Sequence, residues 1–187
     1  MNYIVFDLEN NCAFSINKIT GKLEKGYAND ICPNEVIEIG AVKLNERLEV
    51  VDTFKIYVKP KLYKHMHPKI KKKTKITISK LRNAFPFKQA IKDFTDWIKP
   101  DYMLCCWGRD DIQTLRRNCE YHKLNCDWIG EYLDIQHMIT KYLNHPHSIG
   151  LKDALEKFNI SIEDQLHDAL NDAAYTAKLI QASDCLK

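Results

Sequence analysis

The chain has 187 residues, 45% hydrophobic and 28% charged, with a net charge of +3 and a sequence pI near 8.4. That is the balance of an ordinary globular protein, expected to form one domain over 1–187 and large enough to bury a full core. No apolar run approaches membrane-spanning length and no basic-then-apolar leader opens the chain, so no membrane association is expected. The seven cysteines then read as reduced thiols of a cytoplasmic protein. The mild basic bias permits a nucleic-acid partner without requiring one.

In chain order, Tyr3–Asp7 reads as a short buried strand that delivers two carboxylates, Asp7 and Glu9, in "VFDLEN". Residues two apart on an extended chain share a side, so the two acids face together. Asn10 to Asn34 is polar, a long loop or small hairpin with its turn at Thr20-Gly21. "EVIEIGAVKL" (Glu35–Leu44) and "VVDTFKIYVKP" (Val50–Pro60), joined by a polar turn at Asn45–Arg47, read as a β-hairpin. From Lys59 to Arg82 lysines crowd a stretch poor in acids. It reads equally as a solvated helical face or a phosphate-tracking patch, with Pro68 placed to open a short helix.

After Pro86, the apolar residues Phe87, Ala90, Ile91, Phe94, Trp97 and Ile98 recur at helical spacing up to Pro100. "YMLCCW" is a continuous apolar run, a buried strand. It leads through Gly108 into a helix starting at Asp110 and Asp111. "WIGEYLDIQHMITKYL" reads as a short strand passing into a helix, "LKDALEKF" as a short amphipathic helix, and "HDALNDAAYTAKLIQA" as an Ala-rich helix. Strands followed by strand–helix units give an α/β layered fold. The set Cys119, His122 and Cys126 has zinc-like spacing but lacks the second ligand pair a structural site uses, so Cys119 is expected to pack.

Acids therefore stand at three element edges: Asp7 and Glu9, Asp110 and Asp111, and Asp172 with His167 before it. Singly, each has a plainer reading as a cap or a surface charge. Together, carboxylates converging at strand ends cannot all stay ionised without cations between them. Hard oxygen ligands suit Mg²⁺ or Mn²⁺. Two such ions are the usual device for phosphodiester displacement, with a neutral histidine to accept the proton of the attacking water. Small residues around Asp172 would let its helix approach the sheet closely.

In this order and spacing the residues resemble the DEDDh 3′→5′ exonucleases of the RNase H-like superfamily. "FDLEN" is similar to the first motif, "VIEIGAVKL" to the strand after it, "CCWGRDDIQTL" to the second motif and "HDALNDAAYTAKL" to the third. "KTKIT" and "FPFKQAIKDFTDWI" resemble the connector between the first two motifs. The size and "SIGLKDALEKFNI" resemble the histone-mRNA 3′-exonuclease-like branch with its bacterial sporulation-inhibitor relatives.

The resemblance implies an RNase H-like fold, a central mixed five-stranded sheet flanked by helices. Asp7, Glu9, Asp111 and Asp172 would hold two Mg²⁺ or Mn²⁺ ions, with His167 as general base. Asp111 is preferred to Asp110 because Leu115 stands four residues on; Asp110 is left without a role. Leu8 and Asn10 would face the 3′-terminal nucleotide. The implied activity is metal-dependent release of nucleoside 5′-monophosphates from single-stranded 3′ ends, RNA ahead of DNA. The rival readings are a non-catalytic nucleic-acid-binding module and a polymerase-associated proofreading exonuclease. Three features depart from the pattern: Asn10 where Thr or Ala is usual, Lys75 where Gly is usual, and the long Asn10–Asn34 segment.

Overall fold

A computed structural model describes residues 1–183 together with Cys185 and Leu186. Among the described residues, eight strands and seven α-helices follow one another. They are β1 (Asn2–Cys12), β2 (Phe14–Ile16), β3 (Leu23–Lys25), β4 (Asn34–Leu44), β5 (Val50–Lys59), α1 (Pro68–Thr74), α2 (Ile78–Arg82) and β6 (Phe85–Pro86). After these come α3 (Phe87–Ile98), β7 (Tyr102–Cys106), α4 (Asp110–Tyr121), β8 (Tyr132–Asp134), α5 (Ile135–Tyr142), α6 (Leu151–Lys157) and α7 (Ala169–Ala182). Among the described residues no helix is long and apolar enough to cross a membrane.

The main sheet has the order β6-β5-β4-β1-β7-β8. β4 pairs antiparallel with β1 on one side and β5 on the other, while β7 and β8 continue parallel to β1. This is the expected mixed sheet with one strand more than the five anticipated. The addition is β6, two residues paired in parallel with Val58 and Lys59 at the edge, a pairing too short to leave a periodic signal. The Asn10–Asn34 segment contains a separate hairpin, β2–β3, whose turn holds Gly21 at φ 66°.

β1 lies in the middle of the sheet and is buried on both faces. Ile4, Phe6 and Leu8 point into the core layer under α3 and α4, and Val5 into the layer under α5, α6 and α7. Cys119 packs in the first of these layers, as its helical spacing predicts, and Trp107 packs against the second. The strand does not stop at Asp7. It runs on through Asn10 and Asn11 to Cys12, with a register shift between Glu9 and Asn10.

The polar extension is stable because its groups are paired from a distance. Asn11, fully buried, donates from Nδ2 to the carbonyls of Tyr63 and His65 and accepts at Oδ1 from His67 N–H, each at 3.0 Å. Glu35, also buried, accepts the backbone N–H groups of Leu62 and Tyr63 at 2.9 Å and that of Lys61 at 2.5 Å. These two side chains anchor the 60–67 connection, and so hold α1 over the end of β1.

Candidate active site

Asp7 and Glu9 project from one side of β1, towards α7. Asp111 comes from the first turn of α4, and Asp172 from the first turn of α7. Asp111 accepts a hydrogen bond from the backbone N–H of Leu8, which ties the start of α4 to β1. Neither Asp110 nor Asp111 caps α4, whose N-cap is Arg109 and makes no side-chain capping bond. Asp111 turns into the site. Asp110 stays exposed beside it.

Just before α7, His167 N–H donates to Asp172 Oδ2 at 3.1 Å, and His167 Nδ1 lies 3.8 Å from the same oxygen. Ligand atoms of Glu9, His167 and Asp172 all lie within 4.8 Å of one another. His167 holds a left-handed backbone, φ 64°, that turns its ring back over Asp172. The loop carrying it is tied to the end of α1 by Gln165 Nε2 donating to Thr74 O at 3.2 Å.

Electrostatics mark the four acids as a set. Crowding by protein atoms removes water from each, and neighbouring carboxylates add their charge, so all are pushed above the usual carboxylate range. Glu9 is raised to about 8 and Asp111 to about 7, both first by burial. Asp172 is raised to about 6, again first by burial. Asp7 is raised well above its ordinary value by burial and then by Asp111, Asp172 and Glu9. Burial, and then the Lys73 ammonium, lower His167, which favours the neutral imidazole. Buried Asp172 Oδ1 has no hydrogen-bond partner, and an orphaned carboxylate oxygen among other carboxylates fits a hard divalent cation.

Two participants were not legible in the sequence. Glu38, directly across from Glu9 on β4 and fully buried, adds a further acid. Lys55 neutralises it, with Nζ 3.0 Å from Glu38 Oε1, and also pairs with Asp168, the N-cap of α7. The second is Lys73 of α1, whose charge opposes the raised values of Glu9 and Asp172. Leu8 is buried, its N–H engaged by Asp111. Asn10 opens on a cleft of about 430 Å³ also lined by Ile70, Asp110, Gln113, Thr114 and Arg117, and its buried Oδ1 is unpartnered. Lys75 closes α1 at φ 61°, which accounts for a glycine preference there.

The raised acids give a stability prediction. An acid held above its ordinary value keeps its proton in the folded chain at pH values where the unfolded chain has lost it. The folded state then binds more protons, and stability falls as pH rises. The window opens at the ordinary carboxylate range near pH 4 and closes near the Glu9 value of about 8. In chelator, the melting temperature is expected to fall between about pH 4 and about pH 8, and Mg²⁺ to raise it most at the alkaline end. A scanning-calorimetry series with and without Mg²⁺ measures this; a flat chelator profile contradicts it.

A family model described as exonuclease (RNase_T) matches residues 4–180. The chain is similar to the probable 3′-5′ exonuclease KapD of Bacillus subtilis (strain 168), 29% identical over 149 residues that cover 79% of this chain and 72% of that one. It is also similar to 3′-5′ exoribonuclease 1 of Homo sapiens, 27% identical over 157 residues, 78% of this chain and 45% of that protein. Among solved structures, the nuclease domain of 3′hExo, a DEDDh family member bound to rAMP, superposes with a TM-score of 0.81 at 25% identity, covering 96% of this chain and 89% of that one. Exonuclease I shares the fold at a TM-score of 0.72 and 15% identity, covering 97% of this chain and 40% of that one. The mixed sheet, the acids gathered at its strand ends and the match along nearly the whole chain agree: this chain belongs to the exonuclease (RNase_T) family.

Proposed function

We propose that the protein removes nucleoside 5′-monophosphates one at a time from the 3′ end of single-stranded RNA, using two divalent cations, Mg²⁺ or Mn²⁺. The observation that carries this reading is the grouping of Glu9, His167 and Asp172 ligand atoms within 4.8 Å, with Asp7 near enough to feel the charges of Asp111, Asp172 and Glu9, and an orphaned oxygen on Asp172. Asp7, Glu9, Asp111 and Asp172 would hold the ions, which supply an activated water and offset charge on the phosphate and the leaving oxygen. RNA is favoured over DNA because a relative is named an exoribonuclease and the 3′hExo domain binds rAMP.

The remaining work falls to the chain's own groups. Neutral His167 takes the proton of the attacking water at an imidazole nitrogen as the new phosphorus–oxygen bond forms and the bond to the 3′ oxygen breaks. That oxygen then takes a proton from solvent. His167 is half-exposed, so it can return its proton to bulk water after each cycle. Lys73 offsets charge on the phosphate. Asn10 offers its unpartnered oxygen to a hydroxyl of the terminal ribose. A binding module without catalysis has the carboxylates against it, because they repel an anionic ligand wherever cations do not intervene.

The test uses 5′-labelled single-stranded RNA and DNA of one sequence with Mg²⁺, with and without chelator. The expected result is a ladder of RNA shortened from its 3′ end, with nucleoside 5′-monophosphates as product and none formed in chelator. Retention of both labelled strands with no mononucleotide released would overturn the reading.

A further inference from the structure

A cavity of about 1020 Å³ lies outside the acid cluster, between the β2–β3 hairpin and the 62–66 connection. We propose that it is a second, non-catalytic subsite that receives unpaired bases of the substrate RNA on the 5′ side of the nucleotide being cleaved. The inference rests on the single-strand exonuclease reading above.

The lining carries the argument. Phe14, Ile16, Tyr27, Tyr63 and Met66 supply apolar and aromatic surface, and Lys64, Lys71 and His65 supply the ionisable groups. Among the described residues that line it there is no carboxylate. Aromatic faces interleaved with cations and free of acids suit a strand of flat bases on a polyanionic backbone. Tyr27 stands 94% exposed at the rim, near Ile16 at 57%. Rings left in water beside lysines are placed to stack on bases rather than to fill a core.

The platform is built, not loose. Phe14 meets the His67 ring edge-on at 5.4 Å, and His67 caps α1 by accepting from Lys69 N–H. Tyr63 Oη donates to Cys32 O at 2.9 Å and accepts from Asn29 N–H at 3.0 Å. The hairpin closes tightly, since a Cβ at Gly26 would lie 2.5 Å from Phe14 N. Helix α1 contributes residues both to the groove and to the cleft beside Asn10, and its Lys73 acts on the acids. Ile70 lines the cleft and Lys71 lines the groove. A strand with its 3′ end at the acids can therefore cross a lysine-rich helix to reach the aromatics.

Steady-state kinetics on a dinucleotide and on a 12-mer of single-stranded RNA test this. On this proposal a dinucleotide is too short to use the groove, so the wild type is expected to show a KM about tenfold lower for the 12-mer. Tyr27→Ala is expected to remove most of that advantage while hydrolysing the dinucleotide as the wild type does, and Tyr27→Phe to restore it. Lys71→Ala is expected to reduce the slope of log affinity against log salt by about 0.7 for the 12-mer. A wild-type KM indifferent to length, or a Tyr27→Ala enzyme unchanged on the 12-mer, overturns the proposal. So does a dimer in solution that Tyr27→Ala dissociates, because the groove would then be covered by a second copy. If the wild type hydrolyses neither substrate, it is the exonuclease reading that fails. Anisotropy of labelled 12-mer in chelator, wild type against Tyr27→Ala, then still decides the groove.

Discussion

Asp7→Asn is expected to lower the rate of nucleotide release by about a thousandfold or more and, in the same protein, to raise the melting temperature measured in chelator at alkaline pH. The two effects share a cause. Asp7 is the most crowded member of the acid set, its carboxyl held well above the ordinary range by burial and by Asp111, Asp172 and Glu9. Ionising it without cations is costly, and an amide of the same shape avoids that cost. The same amide cannot supply the anionic oxygen that a hard divalent cation needs. Stability up with activity lost is therefore the signature of a metal-holding carboxylate. A carboxylate that only braced the fold would lose both together. Urea unfolding in chelator at about pH 8, set against the RNA ladder with Mg²⁺, separates the cases. Unchanged activity in the variant would remove Asp7 from the site.

Much of this was readable from local pattern. The helical spacing after Pro86 gave α3, and the Ala-rich run "DALNDAAYTAKL" gave α7. The order of acids pointed to one crevice because Asp7 and Glu9 share a side of β1 and Asp111 follows a strand parallel to it. What escaped depends on partners far away in the chain. Asn10 and Asn11 read as the start of a polar loop because asparagines favour turns. Asn11 instead lies in a strand because its side chain satisfies backbone groups more than fifty residues on. Glu38 reads as one polar residue in an apolar strand, and nothing near it announces Lys55, which makes its burial tolerable. The lysine stretch was ambiguous between solvated face and phosphate patch. Its residues divide between the acid site, the groove and solvent according to their position around α1, a division that composition alone does not contain.

The close approach of α7 was read from its alanines, but it also requires Gly40 on β4, and Gly40→Ala gives the sharpest test of how the fold builds the site. A Cβ on Gly40 would lie 2.1 Å from Leu170 N and 2.2 Å from Ala169 C. These are backbone atoms of the first turn of α7 and cannot swing aside as the end of a side chain can. One added methyl group must therefore lift α7 from β4 or bend the centre of the sheet. Overpacking of this kind costs about 1–3 kcal/mol where side chains can adjust, and more where backbone must move. The expected destabilisation is about 3 kcal/mol or more, read as a fall in the urea midpoint. Lifting α7 also carries Asp172 and His167 away from Asp7 and Glu9, so activity should fall even in the fraction that stays folded, at low temperature and with Mg²⁺ in excess. Gly150→Ala is the control. Its Cβ would find Asp153 Oδ2 at 3.5 Å, ordinary contact with a movable side chain, and it should cost under about 1 kcal/mol with activity kept. If Gly40→Ala matched that control in both measurements, α7 would not rest on β4 through backbone, and the placing of Asp172 and His167 would need another support.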